Sequence, residues 1–116
     1  MSVATPREDL YVVAVQGVLD RILSTRLLRL VDARVRISCV HRRATKHLVV
    51  DLCNVPAVGR GGLELLEHAR HATDAHGLSL HLVAPDPQPW PLSRRARELV
   101  SRVGVFSSVD EALRLL

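Results

Sequence analysis

Residues 59–62 read Gly-Arg-Gly-Gly, three glycines and one arginine between a strand-like run and a helix-like one. Backbone amides without side chains at a helix start can hold an anion, and Arg60 would add a fixed positive charge. That is the chemistry of a phosphate cradle. A P-loop, however, needs a lysine followed by a hydroxyl residue for the phosphates and magnesium, and neither is present. The dinucleotide fingerprint Gly-x-Gly-x-x-Gly also fails, because Gly61 is followed by Gly-Leu-Glu and the junction lies well beyond the end of the strand. The simpler expectation is a tight turn with no nucleotide and no cofactor.

Other chemistry-bearing residues give weaker patterns. His68 and His71, with Glu64 one turn earlier, share a helix face, and His76 and His81 follow nearby. Zinc generally takes a His-Glu-x-x-His frame or spaced cysteines, so this face is expected to be solvated and metal-free. Cys39 and Cys53 have no Cys-x-x-Cys spacing and are expected as buried free thiols. No Gly-x-Ser-x-Gly elbow is present, and Ser24, Ser93, Ser107 and Ser108 have the settings of turn or cap residues. No pair of carboxylates has the look of an acid/base couple. The expectation is a non-enzyme.

Positioning these residues falls to alternating strands and helices. "LYVVAVQG" (Leu10 to Gly17), "HLVVDL" (His47 to Leu52) and "LSLHLVAP" (Leu78 to Pro85) are apolar and β-branched, the composition of buried parallel strands. Between them, Ile22 or Leu23, Leu27, Leu30, Val31 and Val35 recur at helical spacing, with Arg21, Arg26, Arg29 and Arg36 off that face. Leu63, Leu66, Ala69, Ala72 and Thr73 line a central helix ended by Gly77. "PDPQPWP" reads as a stiff, exposed connection to an arginine-rich helix whose apolar side is Leu92, Ala96, Leu99, Val100 and Val103. Ser108 and Glu111 form a capping box for a last short helix. This is an α/β pattern with a sheet and helical cover. Right-handed crossovers then bring the loops after Gln16, Leu52 and Val83 to one edge, where such sheets usually bind ligands and partners.

The 116 residues suit one domain, 1–116, and the 47% apolar content suits a globular core. No apolar run is long enough for a membrane span and the first residues have no apolar signal core, so a cytoplasmic protein without membrane insertion is expected. The net charge is +4, with fifteen arginines and one lysine, but one Phe, one Trp and one Tyr leave little for base stacking. Nucleic acid is therefore not the expected partner.

In order along the chain, "VVAVQGVLD", "HLVVDLCNV", "GGLELLEHARHATDAHGLSLHLVAP" and "VDEALRLL" resemble the landmarks of STAS domains, including bacterial anti-sigma-factor antagonists. The family's Gly-x-Leu-Asp is met by Gly17, Leu19 and Asp20, its strand-ending Asp-Leu by Asp51 and Leu52, its glycine-leucine opening the central helix by Gly62 and Leu63, and its closing Glu-Ala-Leu by Glu111, Ala112 and Leu113. The resemblance implies a mixed sheet of about four to five strands with helices packed mostly on one side. It also implies an N-terminal strand, which Pro6 should shorten or abolish, and a last strand reduced to Val105 and Phe106.

In that family the switch motif is Asp-Ser/Thr-Ser/Thr-Gly-Leu, phosphorylated on the hydroxyl after the aspartate by a partner kinase that is also the anti-sigma factor. Here those positions read Gly59, Arg60, Gly61, Gly62 and Leu63. The resemblance therefore implies a degenerate phosphosite at Arg60 and a phosphorylation-independent protein-interaction module, an antagonist-like regulator of transcription. Its partner-binding surface would comprise Asp20, Val58, Gly59, Arg60, Gly61, Gly62 and Glu64, with a protein partner such as an anti-sigma factor or kinase-like regulator. A STAS-type accessory subunit of a membrane transporter, or a sensor of a small anionic ligand at Gly59–Gly62, are the alternatives. Oligomeric state is left open.

Overall fold

The computed structural model describes residues 1–40, 45–85 and 88–116, with only the backbone of Cys39 and Val40. The elements run β1 (Ser2–Arg7), β2 (Leu10–Gln16), α1 (Arg21–Val40), β3 (His47–Asn54), α2 (Leu66–Ala75), β4 (Ser79–Val83), α3 (Arg94–Arg102), β5 (Gly104–Phe106) and α4 (Val109–Leu115). The five strands form one sheet in the order β1-β2-β3-β4-β5. β1 pairs antiparallel with β2, and the remaining pairings are parallel.

Alternation along the strands divides the core between two faces. Val13, Val15, Leu48, Val50, Leu52, Leu80 and Leu82 pack under α1, α2 and α3. On the other face Leu10, Val12, Val49 and Val83 pack with Ala112 of α4. Burying β2 and β3 on both sides explains why they read as continuous apolar runs. α1 turns Leu27, Val31 and Val35 inward, with Leu23 half-buried, while Ile22 is 70% exposed.

Four expectations need correction. β1 forms over six residues despite Pro6, because it is an edge strand and the register shifts between Ala4 and Arg7, so the missing N–H breaks no ladder. The central helix opens later than Gly62-Leu63. Gly61 has a φ of +78°, outside the helical path, and bonds from Gly62 N to Gly59 O (3.1 Å) and Leu66 N to Leu63 O (3.0 Å) make tight turns before α2 begins. Cys53 is exposed, because it lies near the end of β3, past the helical cover. Partial desolvation, with the Asp51 carboxylate beside it, pushes the Cys53 thiol up to about 11, so it is protonated at neutral pH. The side chain of Cys39 lies outside the described residues. In the proline-rich connection, residues 86–87 also lie outside them, but Trp90 is not exposed. It is buried, and its indole N–H donates to Val55 O at 3.0 Å.

Candidate protein-docking site

The four parallel strands β2 to β5 deliver their C-terminal ends to one edge, and the segments after β2 and β3 are bonded to each other. Leu19 N donates to Ala57 O at 3.0 Å and Gly59 N donates to Leu19 O at 2.8 Å, making a small parallel bridge between Leu19 and Val58. Leu19 itself is fully buried and anchors the bridge to the core. Gly17, with a φ of +100°, turns the chain out of β2 into this segment.

The glycines are there for contact as well as for turning. A Cβ on Gly62 would lie 2.0 Å from Leu19 O, and one on Gly59 would lie 3.1 Å from Asp20 Cβ. Buried Ser24 of α1 closes the arrangement by donating from Oγ to Gly62 O at 2.7 Å. Helix α1, the segment after β2 and the glycine loop therefore share one bonded unit.

Around this unit each expected site residue has a definite place. Asp20 caps α1, accepting from Leu23 N at 2.9 Å, and lies against Gly59. Val58, Gly59 and Gly61 are half-buried, and Arg60 is exposed at the tip of the loop. Gly62 is buried, so it shapes the surface without being part of it. Glu64 belongs less to the solvent face than its spacing implied. It is half-buried and accepts from Ser93 Oγ at 2.5 Å. Ser93 in turn caps α3, accepting from Ala96 N at 3.1 Å.

That Glu64–Ser93 bond, together with the Trp90 tether to Val55, brings the start of α3 to the glycine loop. Between them lies a groove of about 800 Å³ lined by Arg21, Arg60, Arg94, Arg95, Glu64 and His68, among others. Arg21 packs over Gly61, its Cγ 3.4 Å from where a Cβ would be. Sequence reasoning missed Arg21, Arg94 and Arg95. The long connection after β4 hides the return of Arg94 and Arg95 to this loop. Two exposed apolar side chains, Val18 and Ile22, stand next to Asp20 and Arg21.

Behind the groove the charges are paired. Arg70 reaches Glu67 at 2.7 Å and Asp74 at 3.2 Å, and its hydrogen bond holds the Glu67 carboxyl below the ordinary carboxylate range. His71 lies 3.5 Å from the same Glu67. Among the described residues no group of three or more His, Cys, Asp or Glu is placed to hold a metal ion.

The family model of the STAS domain matches residues 2–112. The chain belongs to the STAS family. Its fold is similar to that of an anti-sigma factor antagonist from Mycobacterium paratuberculosis, with a TM-score of 0.73 and 24% identity over 98% of this chain and 90% of that one. The Bacillus cell fate determinant SpoIIAA is similar in its phosphorylated form (TM-score 0.63, 13% identity, 98% of this chain and 96% of that one). The anti-sigma factor antagonist SpoIIAA in its unphosphorylated form gives 0.68 and 11% over 97% and 93%. No curated protein matches the chain by sequence. As a STAS domain it has the expected five-stranded mixed sheet, with three helices on one face and α4 on the other. No helix among the described residues is long and apolar enough to cross a membrane.

Proposed function

We infer that this STAS domain is a non-catalytic, cytoplasmic protein-interaction module of the antagonist type that docks without a phosphate switch. The observation that carries this reading is Arg60. It is exposed at the tip of the loop where the family pattern has its acceptor hydroxyl, and residues 55–66 contain no Ser, Thr or Tyr. Phosphorylation would add about −1.5 to −2 charges to such a position. A guanidinium holds it at a permanent +1 instead. Of the hydroxyls around the loop, Ser24 is fully buried and bonded to Gly62 O, and Ser93, which lines the groove with Arg60, is engaged by Glu64 and by the cap of α3. A surface fixed in one charge state, on a backbone held by bonds between two loops, suits constitutive docking.

Arg60→Asp tests the reading. Folding should be intact, since Arg60 is exposed and lies six residues ahead of α2, beyond the turn on which the helix dipole acts. Binding to the partner captured from the native cytoplasm should weaken by more than about 1 kcal/mol, because reversal adds repulsion to a lost contact. Arg97, exposed on α3 and outside the groove, is the control. Unchanged partner binding by Arg60→Asp refutes the docking surface. Stoichiometric phosphorylation by an anti-sigma kinase at a neighbouring hydroxyl such as Thr25 refutes the absence of a switch.

A further inference from the structure

The groove beside the glycine loop has an excess of positive charge, although Glu98 pairs with Arg94 and a neighbouring pocket sets Arg95 beside Glu64, Glu67 and Glu98. Arg21, Arg60, Arg94 and Arg95 line it, and Glu64, its single carboxylate, is already bonded by Ser93. Arg94 lies 3.5 Å from Glu98, but both side chains are largely exposed. Among the described residues Arg21, Arg60 and Arg95 have no ion-pair or hydrogen-bond partner for their guanidinium groups.

The positions of these arginines sharpen the point. Neither α1 nor α3 has an acidic residue in its first turn, and both open with arginine, although Asp20 supplies a carboxylate at the cap of α1. Positive charge there opposes the helix dipole. α4, which does not reach the groove, opens in the favourable way with Asp110 and Glu111. Local helix stability therefore does not account for arginines at the groove, whereas a negatively charged occupant does.

We propose that this groove receives an acidic segment of the protein partner, its carboxylates meeting Arg21, Arg60, Arg94 and Arg95. The proposal rests on the docking reading above and specifies the chemistry of what docks. Exposed Val18 and Ile22, within three residues of Arg21 in the chain, are apolar side chains that a protein partner can cover and a free anion cannot. Nucleic acid fits less well, because no Phe, Tyr or Trp lines the groove to stack a base. Trp90 and Tyr11 are buried, and Phe106 packs against His81 on another part of the sheet. Arginine also suits carboxylates geometrically, since its planar fork can bind both oxygens.

The test is fluorescence anisotropy with a labelled oligoglutamate peptide, set beside oligolysine, inorganic pyrophosphate and single-stranded oligodeoxynucleotide. The expected result is saturable binding of oligoglutamate that weakens as salt rises, and none of oligolysine. Arg60→Glu and Arg94→Glu should each weaken it by about tenfold, while Arg97→Glu should leave it unchanged, with none of the three variants lowering the denaturation midpoint. Absence of peptide binding, an equal loss with Arg97→Glu, or tighter binding of pyrophosphate or oligodeoxynucleotide overturns the acidic segment. A second arm uses the captured native partner. Release by a Val18→Ser, Ile22→Ser double variant but not by the arginine reversals overturns the acidic segment and leaves the docking face standing. Release by neither overturns the docking face itself.

Discussion

Gly62→Ala should be among the most damaging single-methyl changes in the protein. The added Cβ would sit 2.0 Å from Leu19 O and 2.9 Å from Leu19 C, and both are backbone atoms that no rotamer change can move. Relief requires the glycine loop and the segment after β2 to part by about an ångström or more, since ordinary contact is about 3.5 Å. Two bonds across that seam are then lost, Gly59 N to Leu19 O at 2.8 Å and Ser24 Oγ to Gly62 O at 2.7 Å. The backbone bond contributes about 1 kcal/mol, and stranding the fully buried Ser24 hydroxyl costs about 1–3 kcal/mol. Reduced freedom of the unfolded chain returns about 0.4–1 kcal/mol, leaving a net loss of about 1–3.5 kcal/mol. Urea denaturation followed by the fluorescence of the single, buried Trp90 measures it. Gly77→Ala is the comparison, because Gly77 has a φ of +75° but nothing within 4 Å of a Cβ, so it should lose only about 1 kcal/mol. A Gly62→Ala loss below about 1 kcal/mol would refute the steric reasoning.

Other expectations concern the core and the opposite face. Leu66→Ala should destabilise by about 2–5 kcal/mol through lost burial and a cavity, and an unchanged denaturation midpoint would contradict its place in the core. Trp90→Phe should cost about 1–2 kcal/mol by stranding Val55 O. It should also shift the amide resonances of Ser93 and Arg94, and unmoved resonances would show that the indole does not position α3. On the face under α4, burial first and the neighbouring His47 second hold the His81 pKa below its ordinary value. As pH falls below about 6.5, the unfolded chain takes up a proton that folded His81 resists, so stability is present above that range and is lost below it. Denaturation at pH 7.5 and 5.5 should show the loss, and His81→Leu should reduce it. An unaltered difference between the two pH values in that variant would assign the loss to another group.

The legible parts of this protein were those governed by periodicity. The double burial of β2 and β3 shows as unbroken apolar runs, and the inward face of α1 shows as Leu27, Val31 and Val35. Ser108 announced its cap, although Glu111 reaches back to the N–H and hydroxyl of Ser107, one residue earlier than the simple box. At the site, Asp20 and the glycine loop could be paired from the order of motifs. The groove could not. Its far wall depends on Trp90 finding Val55 and on Ser93 finding Glu64, contacts separated by 35 and 29 residues. Neither leaves a mark on local spacing, so Arg94 and Arg95 looked like ordinary solvent-facing residues. Pro6 misled for the opposite reason, since its local rule is true but an edge strand is exempt from it.

That edge strand also bears on how the sheet could grow. β1 and β5 are the two margins, and an unpaired margin is a template for another chain. Along β1, Pro6 presents no N–H and the register shift bends the strand after Ala4, so only the first few residues could continue a regular ladder. β5 is three residues long. Both margins are thus poor seeds for cross-strand addition, and a hydrophobic sheet buried on two faces is kept from extending sideways into fibres. The docking face proposed above lies instead at the end of the sheet, where loops rather than strands meet the solvent.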